Sequence, residues 1–347
     1  MPLMEMTSTV AGASVQGGDS RPPFGFTLLL VYDHGMPPNN RQQTAFSLAD
    51  WRLFTHAVPE LTENNFHVTS DGWVFLHDCR SLRTQLWDPR SGRSVALPDT
   101  EHALPASWRC YLSGAPTAAS CVVLLLYMAE PKLLYCRVGD ARWAAHEYDI
   151  GDVALPPEYA PPEKRVIQQA AAAGGKFYFA EAGNLGILEF SPAPEFSHHD
   201  YAHAEFPDGS NCSRAYVVAS GGELFDVQVY LKGFTPEILT VRVHRFDLSG
   251  PTATLREVDG DLGDKVFLLS DPNAQVLCSA SKYGIKGNRI YFMHNLMEEP
   301  DGGSMVVFDL DNQSVETMRP CPDMTELMCV PFWMMPTDHD SAQEAEH

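Results

Sequence analysis

Positive charge is scarce in this chain. Its 347 residues hold 24 Lys and Arg against 45 Asp and Glu, a formal net charge of −21. A nucleic-acid binder needs a basic patch to neutralise phosphates, and an anionic membrane surface repels so acidic a chain. Neither partner is expected; neutral or basic proteins are. Long apolar runs are missing too. The best covers residues 121–128, far short of the ~18 that a spanning helix needs. Residues 1–23 lack the apolar centre of a signal peptide and carry a single Arg, so they read as a flexible tail rather than a leader. The eight cysteines form no C-x-x-C pair and no Cys/His zinc spacing. Several stand inside strand-like runs such as "LLYCRV" and "QVLCSA", as buried free thiols of a reducing compartment do. The expected location is therefore cytoplasmic, nuclear or both. Phosphate-binding G-x-x-x-x-G-K-[ST], dinucleotide-binding G-x-G-x-x-G, the G-x-S-x-G elbow and H-E-x-x-H are all absent. No cofactor, metal or catalytic residue is assigned.

What the chain does have is turns and a repeat. The 26 Pro and 25 Gly beside 44% hydrophobic residues favour many short strands over long helices. One unit recurs. A Gly-led apolar strand, "DGWVFL", "GGKFYF", "GGELFDVQVY" or "KGNRIYF", is followed by a strand ending in an aromatic and a small polar residue. These second strands are "QLWDP", "ILEFSP", "VHRFDL" and "VVFDL". A polar turn and a third strand come next. The stretch "LLYCRVGDARWAAHEYD" is a further copy with Cys136 in the aromatic place. The slot residues Trp87, Cys136, Phe190, Phe246 and Phe308 lie 49, 54, 56 and 62 apart, the spacing of four-stranded propeller blades of ~40–50 residues with loop insertions. Asp88, Asp247 and Asp309 each follow their slot. A repeated aspartate reads as the cap of a turn's backbone N–H groups, not as a catalytic acid. The inner-strand aromatics Trp73, Tyr178, Phe225 and Tyr291 read as core. Residues 166–175 ("VIQQAAAAGG") and 47–58 ("SLADWRLFTHAV") have helical propensity, but each stands where the repeat wants a strand. Register outweighs a weak prior, so both are expected to be strands.

The late part of the chain resembles the KIB-type, kelch-like β-propeller domain of plant F-box proteins. The carrying residues are Leu262-Gly263-Asp264, Val266-Phe267-Leu268 and Asn288-Arg289-Ile290-Tyr291-Phe292. Gly72-Trp73, the turn Asp88-Pro89-Arg90-Ser91-Gly92 with Leu97-Pro98, and Trp333-Met334-Met335-Pro336 add to the resemblance. Asp88 stands where the family commonly has Asn. The repeat and the resemblance together imply an all-β propeller of four-stranded blades occupying residues 24–336 as one domain, about six blades from the five slots and one more shared by the termini. Strands from both termini would complete a shared blade, because a closed ring has no open sheet edge. Residues 337–347 read as an acidic, disordered tail. The resemblance also implies a substrate-recognition role beside a ubiquitin ligase. Family members commonly carry a helical F-box ahead of the propeller. The residues before the first strand leave no room for one here, so no complex with a Skp adaptor is expected.

The expected function is that of a non-enzymatic protein-binding propeller. Its target is an unidentified protein, met by loops on a rigid scaffold. The first candidate is the connection of residues 231–241, with Lys232, Phe234 and Leu239; the competing reading is a longer hairpin with Phe234 packed down on its own blade. "EFSHHDYAHAEF" supplies His198, His199 and His203, either as a solvated loop or as a metal or pH-sensitive contact. "VDGDLGD" offers Asp259, Asp261 and Asp264, but Gly263 falls where a calcium loop needs a ligand. Trp51, Trp108 and Trp143 lie outside the repeated slots and are possible partner anchors. Two alternatives stand beside this: an enzyme using central-channel carboxylates, for example on glycans, and a stable family copy that has kept no partner.

Overall fold

The computed structural model describes residues 28–33, 42–153, 163–181, 183–258, 262–270, 273, 275–294, 303–321 and 330–335. The expected tails, the segment ahead of the first strand, Asp259, Asp261 and Pro336 lie outside the described residues.

Short strands separated by turns fold into six sheets arranged as blades. In chain order, β1 (Leu29–Asp33), β2 (Gln43–Ser47) and β3 (Arg52–His56) begin blade I, and the four-residue helix α1 (Pro59–Thr62) follows. Blade II is β4 (Asn65–Val68), β5 (Val74–His77), β6 (Thr84–Trp87) and β7 (Ser94–Ala96). Blade III is β8 (Trp108–Leu112), β9 (Val122–Tyr127), β10 (Lys132–Arg137) and β11 (Ala144–Glu147). Blade IV is β12 (Ala171–Ala173), β13 (Lys176–Glu181), β14 (Asn184–Phe190) and β15 (Pro194–Asp200). Blade V is β16 (Ser210–Ser220), β17 (Glu223–Lys232), β18 (Ile238–Asp247) and β19 (Thr254–Glu257). Blade VI holds β20 (Lys265–Leu269), β21 (Val276–Ser279), β22 (Arg289–His294), β23 (Ser304–Asp309) and β24 (Ser314–Met318). Finally β25 (Val330–Met334) pairs antiparallel with β1, Trp333 opposite Leu30, and completes blade I. The expected closure by both termini is thus present. The expected four strands per blade hold for five sheets. The sixth has five, because β20 and β21 form a hairpin and β20 lies parallel to β22.

Six apolar clusters fill the six seams between blades. Strand alternation sends successive side chains to opposite faces. Leu29 and Val31 therefore join Val74, Leu76 and Trp87 of blade II, while Leu30 and Tyr32 join Val266, Leu268 and Met305 of blade VI. A strand buried on both faces needs an unbroken apolar run, which is why "LLLVY" and "VVLLL" do not alternate. The slot residues all face the preceding blade: Trp87 into the I/II seam, Cys136 into II/III, Phe190 into III/IV, Phe246 into IV/V and Phe308 into V/VI. Blade I has a slot residue that the repeat search missed. Phe46, in "AFSL" on β2, fills the same place in the VI/I seam.

The turn aspartates behave as caps. Oδ1 of Asp88, Asp247 and Asp309 accepts the backbone N–H two residues on, from Arg90 (3.0 Å), Ser249 (3.0 Å) and Asp311 (3.1 Å). The late signature is structural as well. The Asp264 carboxylate accepts bonds from the Ser279 hydroxyl, the Ser281 hydroxyl (2.7 Å) and the Ser281 N–H (2.9 Å). The two serine hydroxyls, Ser279 first, hold its pKa below the usual carboxylate range. Asn288, at φ +57°, accepts the Leu262 N–H at 2.9 Å and donates to Asp311 at 2.6 Å. Trp333 Nε1 donates to the Leu269 carbonyl at 3.0 Å and ties the last strand to blade VI.

Three local expectations need correction. Residues 47–58 are not one strand: β2 ends at Ser47, a turn through residues 48–51 follows, and β3 begins at Arg52. The Asp50 N–H closes that turn by donating to Ser47 Oγ at 3.2 Å. Of residues 166–175 only Ala171–Ala173 forms a strand. Tyr178 is half-buried rather than core, because it points into the thinly filled IV/V seam.

Candidate functional site

Blade V departs most from the repeat. Its first three strands have 11, 10 and 10 residues, whereas strands of the other blades have 3 to 7. The outer strand β19 pairs only with residues 244–247. The rest of β16, β17 and β18 therefore prolongs the blade. The supposed long connection of residues 231–241 is the end of this extension: Lys232 closes β17, Leu239 lies on β18, and a tight turn joins them. The competing hairpin reading was right about the backbone and wrong about the side chain, since Phe234 is 85% exposed.

The tip is held from several sides. Within it, the Lys232 N–H donates to the Glu237 carbonyl at 2.8 Å, and the Thr235 N–H to the Lys232 carbonyl at 3.1 Å. Gly233 takes φ +59°, which glycine adopts without steric cost. Its N–H donates to the Gly209 carbonyl at 2.8 Å, and its carbonyl accepts from Cys212 Sγ at 3.1 Å. The Pro236 carbonyl lies 2.6 Å from His294 Nε2 of blade VI. Lys232 Nζ is 3.2 Å from Glu237, so its charge is already matched.

Phe206 belongs to the same surface and was not foreseen. It is 50% exposed, edge-on to Tyr230 at 5.4 Å, and Arg242 stacks over the Tyr230 ring at 5.7 Å. Its signal lay in "EFPDGS", a Phe directly before a Pro-Asp-Gly turn. Phe206, Phe234 and Leu239 are three of the seven large exposed hydrophobics among the described residues.

The histidine stretch is not a loop throughout. His198 and His199 lie on β15, the outer strand of blade IV, because the run pairs residue by residue with β14. Adjacent strand residues point to opposite faces, and His203 lies past the strand end. The three imidazoles are not brought together. His198 Nε2 is 3.8 Å from Asp200, His199 Nδ1 is 3.3 Å from the Pro251 carbonyl, and His203 Nε2 accepts the Gly183 N–H at 2.9 Å. Among the described residues no group of three or more His, Cys, Asp or Glu could hold a metal ion.

Beneath the extension lies a buried polar cluster. Asp226 is 3% exposed and His244, directly opposite it in register, is 5% exposed. Gln228 Nε2 donates to both Asp226 oxygens, at 3.1 and 2.9 Å, and accepts from Ser213 at 3.0 Å through its own oxygen. Burial raises the Asp226 pKa, against the Gln228 bonds and the nearby His244 and His203. The same burial, helped by the Asp226 charge, pushes the Tyr201 phenol up to about 12. Trp108 and Trp143 are half-buried: Trp108 meets Phe75 edge-on at 5.2 Å, and Trp143 Nε1 donates to the Pro98 carbonyl at 2.7 Å. Trp51, at the turn of blade I, is 50% exposed.

Several solved structures are similar in form. One is titled a nidogen/laminin complex: 10% identity, covering 90% of this chain and 100% of that one, TM-score 0.44. Another is a functionally unknown protein from Desulfotomaculum acetoxidans: 12% identity, 89% and 99% covered, TM-score 0.42. A third is apo AztD from Citrobacter koseri: 11% identity, 88% and 96% covered, TM-score 0.38. No curated protein matches the chain in sequence. The family model described as KIB1-4 beta-propeller matches residues 45–309, which takes in all six slot residues and the late signature, and the chain belongs to that family.

Proposed function

We propose that this chain is a non-enzymatic protein-interaction propeller, allied in role to the substrate-recognition domain of F-box ubiquitin-ligase receptors, and that the extension of blade V is its contact surface. The observation that carries this reading is Phe234, 85% exposed at the tip of a hairpin bonded to its neighbours on several sides. Leaving a phenylalanine in water forgoes about 1.5–3 kcal/mol of burial. A partner with an apolar pocket recovers that energy without ordering a loop first, which is the property of an anchor residue. The formal charge of −21 favours a neutral or basic rim around that pocket.

The test is proximity labelling in native tissue, followed by capture with purified Phe234→Ala. The variant should keep the wild-type melting temperature, because its side chain touches little. It should lose at least one specific protein that the wild type enriches. Retention of every such protein by Phe234→Ala and by Phe206→Ala would overturn the assignment of the surface. Failure of the wild type to enrich any protein would overturn the function.

A further inference from the structure

Blades IV and V do not fill their seam at one end. Strand β12 is three alanines and turns into β13 through Gly174 and Gly175. Across the seam, β16 turns into β17 through Gly221 and Gly222. Methyl groups and glycines occupy little space, and a cleft of about 470 Å³ opens between the blades, within the usual size of small-ligand sites. Its apolar lining includes Leu224, Phe246 and the half-buried Tyr178. It lies at the opposite end of β17 and β18 from Phe234: Phe225 pairs with Arg245 here, whereas Leu231 pairs with Ile238 near the tip.

Two guanidiniums line the same cleft. Arg245 Nη1 donates to Glu223 Oε1 at 2.7 Å, and Arg256 Nη2 donates to Asp247. A guanidinium has five N–H groups, and neither arginine makes a second hydrogen bond to a described residue. The Tyr178 hydroxyl makes none. Asp247 is already engaged by the Ser249 N–H at 3.0 Å. In a chain with 24 basic against 45 acidic residues, this cleft is locally balanced, two arginines against Glu223 and Asp247, and its spare forked donors adjoin an apolar floor.

We propose that this cleft binds a carboxylate with an apolar body. The phenyl or branched alkyl group would lie on Leu224, Phe246 and Tyr178, and the carboxylate would take paired N–H bonds from Arg245 or Arg256. A monoanion fits better than a phosphate. Glu223 and Asp247 also line the cleft and repel a dianion about twice as strongly. The carboxylate can come from a small organic acid or from the free end of a peptide chain that finishes in an apolar residue.

The test is an NMR titration of the full chain at low salt with four probes and their controls. These are 3-phenylpropionate, 3-phenylpropionamide, phenyl phosphate, and acetyl-Gly-Gly-Phe with a free or an amidated end. Each acid should bind about tenfold more tightly than its amide, a difference of about 1.4 kcal/mol, and should shift the amides of Gly174, Gly222 and Leu224. The double variant Arg245→Gln, Arg256→Gln should lose that preference at an unchanged melting temperature. Arg245→Lys with Arg256→Lys should recover part of it. The tighter of the two acids identifies the source. Equal binding of acid and amide, tighter binding of phenyl phosphate, or no saturation of either acid by about 20 mM would overturn the proposal.

Discussion

Replacing Gly287 by alanine tests the account of the late signature. Gly287 does not need a left-handed backbone; it needs the absence of a side chain. A Cβ built there would meet the Gly263 carbonyl oxygen at 2.6 Å and the Asp264 Cα at 3.1 Å. The first contact is roughly 1 Å inside the ~3.5 Å at which nonbonded atoms attract. Both atoms are backbone, so no side chain can rotate away. The segment of residues 262–264 must move, and it carries the Asp264 clamp on Ser279 and Ser281 as well as the Leu262 N–H bonded to Asn288. Overpacking that displaces backbone costs about 2–3 kcal/mol, the upper part of the usual range. With an unfolding entropy of about 2.1 cal/mol/K per residue, some 300 cooperating residues give about 0.6 kcal/mol/K, so Tm should fall by about 3–5 °C.

The assay is thermal and urea unfolding of Gly287→Ala beside Gly114→Ala, where a Cβ meets nothing within 4 Å. The control should stay within about 0.5 kcal/mol of wild type. Hydrogen exchange should locate the damage: the amides of Ala280 and Ser281, bonded to the Asp264 carbonyl and carboxylate, should lose protection first. If Gly287→Ala unfolds with the control, the close approach does not constrain this protein and the motif needs another explanation.

Other outcomes follow from the same contacts. Trp333→Phe leaves the Leu269 carbonyl without its 3.0 Å donor and should cost about 1–3 kcal/mol, read as a lower urea midpoint. Burial holds the Asp226 pKa above its unfolded value, so the native state takes up this proton first as pH falls; stability from this site is lost as pH rises from about 4 through the raised native value. Asp226→Asn should therefore gain more Tm at pH 7 than at pH 4, and an equal gain at both would refute the assignment. Burial pushes the Cys110 and Cys136 thiols far up and Cys121 up to about 11, whereas Cys79 is exposed. A thiol reagent at pH 8 should label Cys79 quickly and the other three only on unfolding.

The sequence announced the ring because every blade solves one problem alike. The next-to-outermost strand puts an apolar side chain into the preceding seam, Cys136 in blade III and a large aromatic in the others, so Trp87, Phe190, Phe246 and Phe308 recur at blade spacing. Phe46 escaped the search because its blade is assembled from both termini: the strand inside its neighbour is β25, nearly the whole chain away. The β20–β21 hairpin escaped because two apolar runs, "KVFLL" and "VLCS", look like one inner strand and a continuation until pairing shows them antiparallel. Residues 166–175 resisted for a reason that belongs to the site. Alanine is the best helix former, and its presence at a strand position conflicts with local propensity. The seam, not the strand, accounts for it, since only small residues leave the IV/V cleft open. The blade V extension has the same logic. The lengthened hairpin packs Val229 and Val241 into the V/VI seam, yet ends in an exposed Phe234 that no seam uses. Repetition identifies what the ring needs to stand, and departures from it identify what the ring leaves free for binding. Those departures fall at both ends of blade V, at the hairpin tip proposed as a protein contact and at the seam proposed for an apolar acid.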